Sequence, residues 1–430
     1  MKLTKLYIHN YKSFYDTTIE LDKMNIVVGE NNSGKSNLID VLEFIDIAMT
    51  TDIERAISDK GGYENLLNYS AVGENKVIIR ATFHKEKSSL IDLISSNSNS
   101  TLDFSGQVQG DGDITFSFSF SKDYNIFSIY FDMRVRCIKN ENRDKFEMLY
   151  ARELQKEEYK NIKFVISNLK FYDLKRNSKR KLVTLSNNHK EYINSCLHGI
   201  SHLVGLYVIE NLTIVKTNMI YFDTYYFNSE RIRQISNQNT TELTLLKDGS
   251  NLGKILFNIK EEDKNKFKII SNSLITTVNE IASVEVQKNL GSYAIGFKER
   301  NKEAIPIHIV SDGTINFLAT ITALNQYNNN NRLLVFEEPE RHLHLKAVNY
   351  MLQAFRDSQK QILITTHSTE ILKYANLEEI IFIYRDSDGD TQSIRADELP
   401  DLKGKMERLG YARPMTLDEL IADRVIGDFE

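Results

Sequence analysis

Residues 25–44, NIVVGENNSGKSNLIDVLEF, constrain this chain more than any other stretch. Gly29 to Ser36 match the pattern G-x-x-x-x-G-K-[ST], in which consecutive backbone N–H groups cradle phosphate, the lysine reaches the outer phosphates and the hydroxyl ligates Mg²⁺. At average residue usage the pattern arises by chance in roughly one chain in a hundred of this length. The flanks agree with it. Met24 to Val28 read as a buried strand, and Leu38, Ile39, Val41, Leu42 and Ile45 follow at helical spacing, so a phosphate would meet a helix N-terminus. The candidate nucleotide-binding residues are therefore Gly29, Asn31, Asn32, Ser33, Gly34, Lys35, Ser36 and Asn37, with Ser36 also a metal ligand.

A phosphate loop alone hydrolyses nothing, because a metal must be held and a water oriented and deprotonated. Two later apolar runs, RLLVFEEPE and QILITTHS, each end in polar residues, and in open parallel sheets ligands gather at the C-terminal strand ends. The first supplies Glu337, placed to anchor the Mg²⁺ shell, and Glu338, placed as general base on the attacking water. The second supplies His367, whose neutral imidazole could sense a γ-phosphate and hold the water network. His342 and His344, two apart, would not share a helix face, and no metal site is read into them.

Between these ends the pattern changes. Up to about residue 84 the chain reads as strand, strand, phosphate loop, helix, a turn-rich stretch and the apolar strand VIIRATF. From 85 to 217 serine and asparagine collect, then DITFSFSF and NIFSIYFDMRVRCI alternate as antiparallel strands do. This stretch reads as an inserted β-rich and helical module. Residues 218–430 then resume with a helix through KFKIISNSLITTVNEIA, a hairpin in VEVQKNLGSYAIGFKE and the two strands above. The fold class expected is α/β with an inserted α+β module.

With 430 residues, 41% of them apolar, the chain can build more than one core. No run reaches the 18 or more apolar residues of a spanning helix, and the N-terminus alternates like a strand, so the expectation is no membrane and a cytoplasmic setting. Cys137 and Cys196 offer neither a disulfide framework nor metal spacing. The net charge of −5 gives no chain-wide basic field for nucleic acid. One basic cluster, Leu174 to Leu182, could touch a phosphate backbone, although such clusters are more often solvated surface.

The order of motifs resembles the ABC-type ATPases of the RecF, SMC and OLD (overcoming lysogenization defect) group, in particular the ATPases of bacterial anti-phage systems. The resemblance lies in LYIHNYKSF, VVGENNSGKSNLID, KDGSNLGKIL, IVSDGTINFLATITAL, LLVFEEPERHLHL and ILITTHSTEIL, roughly half the chain. It implies an ABC-ATPase head of the P-loop NTPase class, split into 1–84 and 218–430 by the insert at 85–217, that uses ATP and Mg²⁺. It also implies that VSDGT is a degenerate ABC signature, with Ser311 and Gly313 reaching the γ-phosphate bound by a second subunit in a homodimer or higher homo-oligomer.

Departures accompany the matches. Glu337 stands where many relatives carry aspartate, and no Q-loop glutamine is evident, Asn65 or Asn68 standing nearest its place. OLD-type relatives continue into a Toprim nuclease domain, whereas only about sixty residues follow His367 here. Asp386, Asp388 and Asp390 are better explained by a hairpin with Asp-Gly at its tip than by a nuclease site. The resemblance therefore implies a separate effector, an HNH or Toprim-like nuclease, regulated by an ATPase that senses or clamps DNA or a phage product. Alternatives are a RecF-like repair ATPase and an ATP-dependent scaffold with negligible turnover.

Overall fold

The computed structural model describes residues 2–68, 76–89, 106–122, 125–139, 145–155, 170–173, 221–234, 236–237, 242–299, 304–327 and 332–399. The basic cluster at 174–182 and Cys196 lie outside them. Internal contacts divide the chain into two compact units, Met1–Glu20 with Phe44–Ile220, and Leu21–Glu43 with Tyr221–Glu430.

In chain order the strands up to the second unit's return are β1 (Lys2–Tyr11), β2 (Phe14–Glu20), β3 (Met24–Val28), β4 (Val77–Ser89), β5 (Gly106–Phe120), β6 (Asn125–Lys139), β7 (Lys145–Gln155) and β8 (Lys170–Asp173). Helices α1 (Lys35–Thr50) and α2 (Ile53–Asp59) lie between β3 and β4. Then come β9 (Tyr221–Tyr225), α3 (Ser229–Arg233), β10 (Ser236–Asn237), α4 (Leu252–Glu262), α5 (Lys264–Thr277), β11 (Ile281–Asn289), β12 (Ser292–Glu299) and β13 (Ala304–Pro306). The chain continues through α6 (Asp312–Asn325), β14 (Arg332–Glu337), α7 (Leu345–Asp357), β15 (Gln361–Thr366), α8 (Thr369–Leu372), β16 (Ile380–Arg385) and β17 (Thr391–Arg395).

The first unit is built on a seven-stranded sheet, β2-β1-β4-β5-β6-β7-β8, antiparallel throughout. Three strands, rather than the two expected, precede the phosphate loop. The difference is local: Lys12 adopts φ +50°, and Tyr11 pairs with Phe14, so NYKSF is a tight hairpin and not one long strand. The alternation in DITFSFSF and its partner does form an antiparallel pair, Ile114 opposite Phe131 and Phe120 opposite Asn125. Phe116, Phe118 and Phe120 are buried, and Phe44 stacks on Phe120 with ring centroids 5.2 Å apart. Each such ring contributes roughly 1.5–3 kcal/mol by leaving water.

The second unit carries a six-stranded sheet, β17-β16-β3-β15-β14-β9, parallel except for the β17 edge. β3 and β15 are buried at every residue, which is why they read as continuous apolar runs rather than alternating ones. The buried Asn25 within β3 has its amide satisfied by Asp22 O at 2.7 Å and Ile362 O at 3.0 Å. Helix α6 is buried along its whole length from Gly313 to Leu324. Its two central threonines avoid a burial cost by donating to carbonyls one turn back, Thr320 to Asn316 at 2.8 Å and Thr322 to Leu318 at 2.7 Å. α7 buries Ala347, Val348, Met351, Leu352 and Phe355, and Phe355 stacks on Phe336 of β14 at 4.9 Å. That contact holds the strand whose end carries Glu337.

A smaller sheet, β10-β12-β11 with β13 beside β12, completes the second unit. The expected β11–β12 hairpin is present, with Leu290 at φ +44° and Gly291 at φ +87°, the two left-handed residues that a type I′ turn needs. Helix α5 stops earlier than its pattern suggests: Val278 turns extended, and Ile281 already belongs to β11. Among the described residues no helix is long and apolar enough to cross a membrane.

Candidate functional site

The ends of three neighbouring parallel strands, β3, β15 and β14, bring the expected side chains together within the second unit. β3 ends at Val28, and the loop Gly29–Gly34 leads straight into α1. Two residues take left-handed backbone, Asn32 at φ +67° and Gly34 at φ +117°. Gly29 is required for another reason: a Cβ there would lie 2.2 Å from Ile383 O. Ser33, Gly34 and Lys35 are buried, whereas Asn31, Asn32 and Ser36 are exposed and Asn37 is half-buried. The buried Ser33 hydroxyl has no hydrogen-bond partner.

Lys35 folds back over the loop, its Nζ donating to Gly29 O and Glu30 O at 2.7 Å each. Burial lowers its pKa to about 8, against the pull of Glu338, Glu30 and Glu337. The lysine thus caps the loop's carbonyls at the place where the motif puts phosphate. The β16–β17 hairpin grips the same loop from outside, Arg385 Nε donating to Asn32 O at 3.0 Å and Thr391 Oγ1 to Ser33 O at 2.9 Å.

Glu337 closes β14 opposite Thr365 of β15. Its carboxyl is raised by burial and by the neighbouring Glu338 and Glu43 charges. Glu338 leaves the strand with φ +46° while its N–H still donates to Thr365 O at 2.9 Å. Left-handed backbone at a side chain larger than glycine costs on the order of 1 kcal/mol, and here it turns the carboxylate away from the strand line. His367, one residue beyond β15, places Nε2 3.6 Å from Glu338 Oε1, within ion-pair reach though longer than a hydrogen bond. Burial first, then the Lys35 charge, holds the imidazole below its usual range against the pull of Glu338, which favours the neutral form overall.

Ser311 and Gly313 stand apart from this group in their contacts. Ser311 caps α6, its Oγ accepting from Thr314 N at 3.3 Å and lying 2.9 Å from Thr314 Oγ1. Gly313 lets the helix approach the 341–343 turn, where a Cβ would sit 2.2 Å from His342 O. Asp312 pairs with Arg233 at 2.5 Å, which holds its carboxyl below the ordinary range. None of these contacts involves the phosphate loop.

Sequence reasoning missed a cleft that opens on the two glutamates, its lining apart from the phosphate loop. This cleft, of about 680 Å³, is lined by Glu337 and Glu338 together with Asn228, Arg231, Asn316 and Arg341. Asn228 and Arg231 arrive because β9 pairs in parallel with β14, more than a hundred residues away in sequence. The signal was available in YFDTYYFNSERIRQ, an apolar run ending in polar residues like the other two. Asn65 and Asn68 belong to the first unit, where Asn65 Nδ2 donates to Gly61 O at 2.7 Å. The Asp386 turn is a hairpin tip: Asp386 Oδ1 accepts from Asp388 N at 3.1 Å and Asp390 N at 2.8 Å, and Gly389 takes φ +82°.

A glycine-rich turn between a buried parallel strand and a helix, with carboxylates at the end of the next strand but one, defines a P-loop ATPase of mixed α/β class. Residues 24–373 match the family described as "AAA domain, putative AbiEii toxin, Type IV TA system", and the chain belongs to it. It is 20% identical over 395 residues to an "ATP/GTP phosphatase" of Helicobacter pylori, covering 87% of each chain. The structure is also similar to SmcHead bound to the C-winged helix domain of ScpA, at TM-score 0.49 and 14% identity, covering 93% of this chain and 99% of that one. A Thermotoga maritima SMC head domain gives TM-score 0.42 and 11% identity, covering 92% and 99%. The chain is an ATPase.

Proposed function

We propose that this ATPase works as an ABC-type head that dimerises around ATP, senses or clamps nucleic acid or a phage product, and regulates a separate effector in anti-phage defence. The observation that carries the hydrolytic part is the meeting of Glu338 and His367 at 3.6 Å, on strand ends beside the loop that Lys35 closes. In this reading Lys35 exchanges its two carbonyl partners for the outer phosphates, and the main-chain N–H groups of Asn31 to Asn37 cradle them. Glu338 takes the proton of the attacking water, and the neutral His367 holds that water and faces the γ-phosphate.

The donors for a metal fit Mg²⁺. Ser36 presents an exposed hydroxyl in the first turn of α1 and Glu337 a carboxylate at a strand end; both are hard oxygen ligands. Among the described residues no three His, Cys, Asp or Glu side chains gather as a metal site. Mg²⁺ itself keeps several waters and completes its shell with substrate phosphates. When bound, Mg²⁺ supplies charge neutralisation on the phosphates.

Ser311 and Gly313 then serve the partner's site rather than their own, in a homodimer or higher homo-oligomer. Residues 1–84 and 218–430 form the two parts of the head, and 85–217 is the inserted module, with DNA contact and the effector, an HNH or Toprim-like nuclease, engaged outside the ATP site. The family description, which names a toxin of a toxin–antitoxin system, supports a defence setting. The test mixes two inactive chains. Ser311→Arg should damage the neighbour's site and Lys35→Ala its own, so one composite site per heterodimer collects both defects and the other is intact. Partial recovery of turnover is expected; none at any ratio, with subunit exchange demonstrated, would refute the composite site.

A further inference from the structure

We propose that Glu340 is a positioning residue of the hydrolytic site: by accepting the Thr366 hydroxyl hydrogen it fixes the turn that carries His367 against the turn that carries Glu338. The inference rests on the roles proposed above for those two residues. Three observations carry it. Glu340 is 9% exposed, Thr366 is fully buried, and the Thr366 hydroxyl donates to Glu340 Oε1. The Thr366 oxygen in turn accepts Ser368 N–H at 2.8 Å, so the threonine side chain brackets His367 from both sides. Ser368 then caps α8 through Glu370 N at 3.2 Å, which anchors the far end of the same turn.

A hydroxyl has one hydrogen. While it points at Glu340, the oxygen lone pairs remain directed at Ser368 N–H; without that acceptor the hydroxyl is free to rotate and the bracket loosens. The Glu340 side is equally constrained, since Leu343 N donates to Glu340 O at 2.8 Å and Arg341 N to Glu338 O at 3.1 Å. The two turns are thus cross-linked twice, once by backbone from Glu338 N to Thr365 O and once by side chain from Thr366 to Glu340, and the same two turns carry the Glu338–His367 pair. A carboxyl kept here at some cost argues for a role in placement: its second oxygen is buried without a partner. An apolar residue would have filled the volume without leaving an orphan.

The test compares Glu340→Ala, Glu340→Gln and Thr366→Val with Glu338→Gln, measuring ATP affinity and single-turnover hydrolysis on the full chain. Misplacement of a reacting pair by about 1 Å costs on the order of a hundredfold in rate. Glu340→Ala should therefore lower kcat by about tenfold or more with ATP affinity unchanged, and Glu340→Gln, which keeps an acceptor oxygen, should recover most of that loss. Thr366→Val should match Glu340→Ala, and the double variant should be no slower than either single one. Parallel losses of affinity and kcat, no recovery with glutamine, or additive losses in the double variant would overturn the proposal. If Glu338→Gln stalls hydrolysis while Glu340→Ala does not slow it, the positioning role alone fails; if Glu338→Gln turns over freely, the reading of the base fails instead.

Discussion

Replacing Glu340 by glutamine should change how the protein's stability responds to pH, because it removes one titration that the fold has moved. Burial pushes the Glu340 carboxyl up to about 7 from an ordinary value of 4.5, helped by the Glu338 charge and opposed by the Thr366 hydroxyl and Arg341. Between those two values the folded chain holds a proton that the unfolded chain has lost, so stability falls as pH rises. The contribution is fully present below 4.5 and gone above the folded value. Two and a half pKa units correspond to about 3 kcal/mol at 1.36 kcal/mol per unit. Glutamine resembles the neutral acid at every pH, so the wild type should lose about 3 kcal/mol relative to Glu340→Gln between pH 4.5 and 8. Titrations of groups that do not interact with Glu340 occur in both proteins and cancel in the difference. Since two units need not unfold together, amide exchange along β15 is the better readout than a single melting curve. A difference that stays flat across this range, or that grows in favour of the wild type as pH rises, would refute the account of a buried, proton-binding Glu340.

Two further substitutions test how the site is held. Gly29→Ala would put a Cβ 2.2 Å from Ile383 O, a backbone atom that cannot step aside, so the loop must shift; ATP binding by calorimetry should be lost, with destabilisation of about 1–3 kcal/mol. Wild-type affinity in that variant would show that the loop tolerates displacement. Arg356 makes a bidentate pair with the buried Glu379 at 2.7 Å on both arms and also donates to Tyr374 O, tying α7 to the segment before β16. Arg356→Ala leaves that carboxylate buried without its counter-ion, holding only the Asn376 N–H at 2.8 Å, and should cost about 3–5 kcal/mol in denaturant unfolding of the second unit; a loss below 1 kcal/mol would mean that water reaches Glu379.

Much of the site was legible because its parts are local. A glycine-rich turn must sit between its strand and its helix, and Glu337, Glu338 and His367 stand within three residues of short apolar runs that read as strands buried on both faces. The parts that were not legible depend on pairings distant in sequence or on backbone that no residue type announces. Glu338 takes φ +46° without being glycine, and Lys12 makes a hairpin at φ +50°. Asn228 and Arg231 reach the cleft only through the β9–β14 pairing, and Arg385 and Thr391 reach the phosphate loop across some 350 residues of chain. Nothing in EEPE sets Glu340 apart from the two glutamates before it; its burial and its bond to Thr366 appear only once the ends of β14 and β15 lie side by side.

The most direct test of the central claim is single-turnover ATP hydrolysis by Glu338→Gln beside equilibrium ATP binding by the same protein. An amide cannot accept the water's proton, while the phosphate loop and Lys35 are untouched, so binding should match the wild type and hydrolysis should fall by on the order of a thousandfold. Lys35→Ala in the same assay should lose binding itself. Hydrolysis by Glu338→Gln near the wild-type rate would contradict the account and transfer the base to Glu337 or His367.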